Sequence, residues 1–197
     1  MRLRRPIAMG VDLAASEKRP TGLCILSVEL EAETWIVWRD SEIVECAERY
    51  KPEVIAIDAP LSVPKAGSLR ECDRALLKRG IRLLPPTIPS MRRLTLRGIG
   101  LKEELAKRGF LVIEVFPGGA QDVLDIPRKK AGRKAVLQGL EGLGIRGVRT
   151  DATIDELDAV TAAYVGLLYL TGLAEVVSGR DGSIVMPRKG AYEGNSA

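Results

Sequence analysis

The sequence predicts an α/β protein built on a mixed sheet of about five strands flanked by helices, with a helical, Pro-rich insertion and a C-terminal hairpin. Three observations carry this. Apolar runs of strand length recur at Ile7 to Leu13, Val54 to Asp58 and Phe110 to Phe116, separated by stretches of helical period. The first three strand-like runs are joined by short polar connections, which favours an antiparallel meander. A chain of 197 residues that is 46% hydrophobic suits one core, so a single domain over 1–187 is expected, with an insertion over about 59–94 and a flexible tail over 188–197.

The elements follow in order. Ile7 to Leu13 reads as a buried strand, Gly22 to Glu29 as a second and Thr34 to Arg39 as a third. Ser41 is placed to cap a helix that runs through Tyr50 and stops at Pro52. Val54 to Asp58 then forms a parallel crossover strand ending in an acid. In the insertion, Ser68 and Glu71 have capping-box spacing ahead of one helix, and Gly80 follows its end. Ser90 can cap a helix to Arg108, although Gly98 and Gly100 weaken its middle. Phe110 to Phe116 is the next strand, and Pro117 to Arg149 reads as a helix between loops. Thr153 and Glu156 open a helix through Leu170 that is apolar beyond its first turn and therefore buried. Ala174 to Val177 and Ser183 to Met186 flank a Gly-containing turn and predict a hairpin.

Composition excludes several chemistries. There is no histidine, which removes Ser-His-Asp and Cys-His catalysis and His-ligated zinc proteases. Cys24, Cys46 and Cys72 lack CxxC spacing, so neither a zinc cluster nor a disulfide framework is indicated. No apolar run approaches the roughly 20 residues that span a bilayer, and Met1 to Met9 is basic without an apolar signal region behind it. A soluble, cytoplasmic protein is expected. The net charge of +4 permits a polyanionic partner but does not require one.

The acids are the informative residues. Asp12 and Asp58 each end an apolar strand, the place where α/β sheets present ligands, although a turn-capping Asp explains either one alone. Glu114 alternates with Val112 and Phe116, so it meets water, an insertion arginine or a cation. Asp158 lies one turn inside the apolar helix, where an unpaired charge is costly. Asp155, three residues earlier, shares that face and either joins the same ion or complements the helix dipole. Glu156 has the capping role. Carboxylates without His or thiolate are hard ligands that select Mg²⁺, Mn²⁺ or Ca²⁺ over zinc or copper, with Mg²⁺ (or Mn²⁺) the expected ion, and a pair of such ions can hydrolyse a phosphodiester with an activated water and no protein nucleophile.

Gly10-Val11-Asp12, Ala56-Ile57-Asp58-Ala59-Pro60-Leu61, Arg70-x-Cys72-Asp73-Arg74, Glu114-Val115-Phe116-Pro117 and Asp155-Glu156-Leu157-Asp158-Ala159 together resemble a family of unknown function predicted to be RNase H-fold nucleases. Met91-x-x-Leu94-x-x-Arg97-Gly98 and Ser178-Gly179-x-Asp181-Gly182 extend the likeness over most of the chain. The resemblance implies a ribonuclease H-like fold in which Asp12 is the first-strand acid, Asp58 the central-strand acid and Asp158 the C-terminal helix acid. Asp155-x-x-Asp158 is similar to the paired helix acids of Holliday-junction resolvases. The first crossover helix departs from classical ribonuclease H, offering Glu42, Glu45 and Glu48 without an obvious buried acid.

The expected activity is nuclease, with Asp12, Asp58 and Asp158 catalytic and Asp12, Asp58, Glu114, Asp155 and Asp158 as metal ligands. Arg70, Arg74, Arg93, Arg97, Lys129 and Lys130, the last two within Arg128-Lys129-Lys130, are candidates for substrate phosphate; each also suits a solvated face or an ion pair with Asp73 or Glu71. Aromatics at 4% offer no stacking platform for single strands, which favours duplex or structured nucleic acid. Two alternatives remain: a phosphotransferase or ATPase-like protein of the same fold, and a non-catalytic scaffold whose acids pair with arginines.

Overall fold

The computed structural model describes residues 7–190. Strands β1 (Ile7–Asp12), β2 (Thr21–Ser27) and β3 (Ala32–Val37) form the antiparallel meander. Helix α1 (Asp40–Tyr50) crosses to β4 (Val54–Asp58), which pairs in parallel with β1. Helices α2 (Glu71–Lys78) and α3 (Pro89–Lys107) precede β5 (Val112–Val115), parallel to β4. Helix α4 (Pro117–Val123), a 3-10 turn (Lys129–Ala131) and α5 (Arg133–Gly142) lead to α6 (Ile154–Leu170), and β6 (Ala174–Gly179) and β7 (Gly182–Pro187) close the chain as a hairpin. Among the described residues the sheet has seven strands in the order β3-β2-β1-β4-β5-β7-β6, where the sequence suggests about five. The difference is the hairpin, which joins the same sheet through the parallel pairing of Val115 with Val185.

Alternation assigns the two faces of the sheet. Ala8, Gly10 and Asp12 of β1 point to the α6 side, where Ala8, Ala56 and Val115 pack with Ala159, Ala163 and Val160. Met9 and Val11 point the other way and pack with Ile43 of α1 and Leu101 of α3. Helix α6 is buried along most of its length and lies across β1, β2 and β4. It comes down onto the sheet because Gly10 and Gly22 present bare backbone. A Cβ at Gly10 would stand 1.9 Å from the Ala159 carbonyl oxygen, and one at Gly22 would stand 2.0 Å from that of Asp155.

Local signals at helix starts were partly superseded. Thr153 and Glu156 do form the capping box, Glu156 N–H donating to Thr153 Oγ1 (3.2 Å) and Thr153 N–H to Glu156 Oε2 (2.8 Å). Ser41 does not cap α1; the helix begins at Asp40, and Glu42 Oε2 accepts from the backbone N–H of Arg39 (2.8 Å) and Trp38 (3.0 Å). Ser68 and Glu71 are likewise displaced by Arg70 and Asp73, since Asp73 Oδ2 accepts from Arg70 N–H (2.8 Å). Helix α3 starts with Pro89 in its first turn rather than after Ser90, a position where the missing N–H costs nothing. Gly98 in α3 serves close packing, with Ala59 and Pro60 against it. The segment expected as one helix between loops holds α4, the 3-10 turn and α5.

Arg188, placed in the expected tail, is tied down by its N–H bond to Leu173 O (3.0 Å), and the tail's residues 191–197 lie outside the described residues. Among the described residues no helix is long and apolar enough to cross a membrane.

Candidate metal centre

Asp12 and Asp58 are register partners at the carboxyl ends of adjacent parallel strands. Neighbouring strands lie about 4.8 Å apart, and directly opposed residues share a face, so both carboxyl groups emerge side by side under α6. Helix α6 runs over them with Asp158 and, one turn earlier, Asp155. The backbone of Asp155 rests on Gly22, which is the β2 partner of Asp12, so the glycine contact sets the height of the helix acids above the strand acids.

Asp158 is 4% exposed and each of its oxygens has a partner. Gln121 Nε2, from α4, donates to Oδ1 (3.0 Å) and also to Thr161 Oγ1 (3.3 Å). Lys129 Nζ, from the 3-10 turn, stands 3.5 Å from Oδ2. Asp12, Asp58 and Asp155 are half-buried and reachable from solvent. Among the described residues no arginine is hydrogen-bonded or ion-paired to Asp12 or Asp58.

The acids repel one another in a medium that disfavours charge. Burial, then Asp58, Asp158 and Asp155, hold the Asp12 carboxyl well above its ordinary range, with Lys129 opposing. Burial, followed by the charge of Asp158, pushes Asp58 up to about 7. Asp155 is raised by burial and then by Asp158. Lys129 is correspondingly favoured as a cation by Asp158, Asp12 and Asp58, against the cost of its own burial.

Such a cluster calls for positive charge, and its donors are all hard carboxylate oxygens of the kind that hold Mg²⁺ or Mn²⁺. Among the described residues no three acid or thiol side chains converge tightly enough to chelate an ion as they stand. Asp12 and Asp58 stand side by side on adjacent strands, with Asp158 and Asp155 on the helix above them. The residue types fit a divalent ion on the pair and the helix acid.

The remaining expected residues fall elsewhere. Register pairs Glu114 with Ile57 and Val115 with Asp58, which turns Glu114 to the opposite face from Asp58. There Arg70, 1% exposed, binds it through Nη1 to Oε2 (2.7 Å) and Nη2 to Oε1 (2.6 Å), while Leu61 N–H donates to Oε2 (2.7 Å). Arg70 also binds Asp73 through Nε (3.0 Å) and Nη2 (2.7 Å) and Ser62 through Nη1 (3.0 Å). Glu114 and Arg70, expected as a metal ligand and a phosphate contact, are instead bonded to each other in a buried network that ties Ser62 and Asp73 to β5. Arg97 is likewise held, by Asp40 (2.9 Å) and Ala14 O (2.7 Å). Arg74 is exposed and donates to Leu69 O (2.5 Å); Arg93, Lys129 and Lys130 are also exposed.

Gln121 escaped the sequence reading. A Gln in a segment of Pro, Gly and Ala was its only signal. A cavity of about 690 Å³ between β3 and α1 includes Glu33, Trp35 and Tyr50 but none of the expected site residues. Size is outweighed here by the convergence of the acids.

A mixed sheet of this order with a buried helix laid across it is the ribonuclease H-like fold. The chain aligns over 90% of its length with 99% of T. thermophilus RuvC in complex with Holliday junction substrate, at a TM-score of 0.55 and 14% identity. The Thermus thermophilus RuvC structure aligns over the same shares at a TM-score of 0.53 and 14% identity. At such identity the likeness establishes the fold. Residues 10–181 match the family described as "Protein of unknown function (DUF429)", and the chain belongs to that family. No curated protein matches the sequence.

Proposed function

We propose that the protein is a divalent-metal-dependent nuclease that hydrolyses phosphodiester bonds of duplex or branched nucleic acid, with Asp12, Asp58 and Asp158 as its catalytic carboxylates. The observation that carries this reading is the in-register Asp12/Asp58 pair beside Asp158, which no arginine among the described residues neutralises. Bound Mg²⁺ or Mn²⁺ supplies an activated water and charge compensation at the scissile phosphate. Asp12 and Asp58 hold the ion from the sheet. Asp158 approaches from α6 with its carboxylate oriented by Gln121 at Oδ1 and by Lys129 at Oδ2. Asp155, half-buried on the same helix face, completes the set from the solvent side.

The fold likeness to RuvC, solved with a Holliday junction, supports nucleic acid as the substrate class. The scaffold alternative expected arginines on the acids: Arg70 does pair with Glu114, but with Arg74 on Leu69 O and Arg97 on Asp40, none of the three reaches Asp12, Asp58 or Asp158. The test is cleavage of a labelled duplex, a single strand and a four-way junction in Mg²⁺, Mn²⁺ and EDTA, alongside Asp12→Asn and Asp58→Asn. Metal-dependent cleavage lost in both variants is the expected result. A parent protein that neither cleaves any of the three nor gains thermal stability from Mn²⁺ would overturn the reading.

A further inference from the structure

The 3-10 turn and the end of α2 enclose a second cleft of about 320 Å³, lined by Gly80, Arg82, Asp122, Arg128, Lys129 and Lys130. Its only acid, Asp122, is ion-paired with Arg128, and the Arg128 guanidinium also lies 6.0 Å from the centroid of the Phe116 ring. Arg128 is thereby a fixed wall, whereas Arg82 and Lys130 are exposed. Lys129 belongs to two sites: its side chain lines this cleft, and its Nζ stands 3.5 Å from Asp158 Oδ2. The cleft is therefore one lysine side chain away from the carboxylate centre. Crowding like charges in a concave surface costs free energy that a polyanion recovers, with counterion release adding to the gain.

We propose that this cleft is the subsite for a backbone phosphate flanking the one attacked at the carboxylate centre, with Arg82 and Lys130 as its contacts and Lys129 as the wall between the two. The assignment rests on the nuclease reading. It adds Arg82, from the loop after α2, to the substrate path and sets the direction in which the strand leaves the acids: toward the 3-10 turn and away from the Arg70 network.

The experiment measures binding of a labelled DNA duplex and a four-way junction by fluorescence anisotropy in Ca²⁺, from about 50 to about 200 mM salt. Mn²⁺ binding is measured separately by calorimetry. Replacing exposed Arg82 and Lys130 together by Ala should weaken binding about tenfold and reduce the slope of log affinity against log salt by about 2, whatever the DNA sequence. Mn²⁺ affinity should stay at the parent value. Parent-like DNA affinity and slope would overturn the proposal. So would loss of Mn²⁺ binding in the variant, since the two residues would then act through the acids. A parent that binds Mn²⁺ but no DNA would sink the subsite and leave the metal reading standing; a parent that binds no Mn²⁺ would sink both.

Discussion

Asp58→Asn should stabilise the protein in EDTA at alkaline pH and leave it nearly unchanged in acid. Asp58 sits beside Asp12 under α6, and burial together with the charge of Asp158 raises its carboxyl from 3.8 to about 7. Between those two values the native chain binds more protons than the unfolded one, so stability falls as pH rises through the interval and the loss is complete above about pH 8. Three units correspond to roughly 4 kcal/mol, a ceiling because the titration is shared with Asp12. Water reaching the half-buried carboxyl, with Lys129 opposite, reduces this to on the order of 2 kcal/mol. Asparagine has the same shape and no charge. Its melting temperature at about pH 8 should exceed the parent's by roughly 4–8 °C, with no difference near pH 4. Thermal and urea melts across that pH range supply the assay. With Mn²⁺ present the order should reverse, because the parent gains from binding and the variant does not. An Asp58→Asn protein less stable than the parent at about pH 8 in EDTA would refute the reasoning, since the carboxylate would then be held by a structural partner.

Other outcomes follow from the same geometry. Mn²⁺ at about 100 times its dissociation constant should add about 2.7 kcal/mol to the parent. Calorimetry and melts should show that gain abolished in Asp12→Asn and much reduced in Asp158→Asn, whereas Glu156→Gln should keep it while losing some stability. Gln121→Leu removes the donor that orients Asp158 and should weaken Mn²⁺ binding about 10- to 100-fold by calorimetry, with the fold retained by circular dichroism. Arg70→Met strands Glu114 and Asp73 as buried charges and should cost about 3–5 kcal/mol in urea melts, without changing Mn²⁺ affinity per folded molecule.

The positions of the candidate acids on their strands and helix were legible in the chain. Asp12 and Asp58 each terminate a run of apolar residues with no loop composition to excuse them, and such runs become strands whose carboxyl ends meet. Asp158 stood out because its neighbours Leu157, Ala159 and Val160 demanded burial. The Thr153/Glu156 box, too, is a relation between residues three apart. Other capping signals were outcompeted. Ser68 and Ser90 have the right chemistry, but Arg70 with Asp73 and Pro89 start those helices, because long-range contacts and backbone geometry set where each helix begins.

Sequence alone determined the α/β class, the antiparallel-then-parallel strand order, the buried final helix and the acids that end two strands and enter that helix. These depend on periodicity and on near neighbours, which the chain carries locally. Only the tertiary structure decided which acids face one another. Glu114 was as good a ligand on paper as Asp58, but a side-chain period of two means that pairing it with Ile57 sends it to the far face of the sheet, where Arg70 waits. Arg70 itself could have met phosphate, solvent or either of two acids, and only packing chose. Gln121 reaches Asp158 across 37 positions, and the terminal hairpin joins the sheet through a strand about 70 residues earlier. Contacts of that range leave no periodic trace, because they arise from how faces stack once the local elements exist.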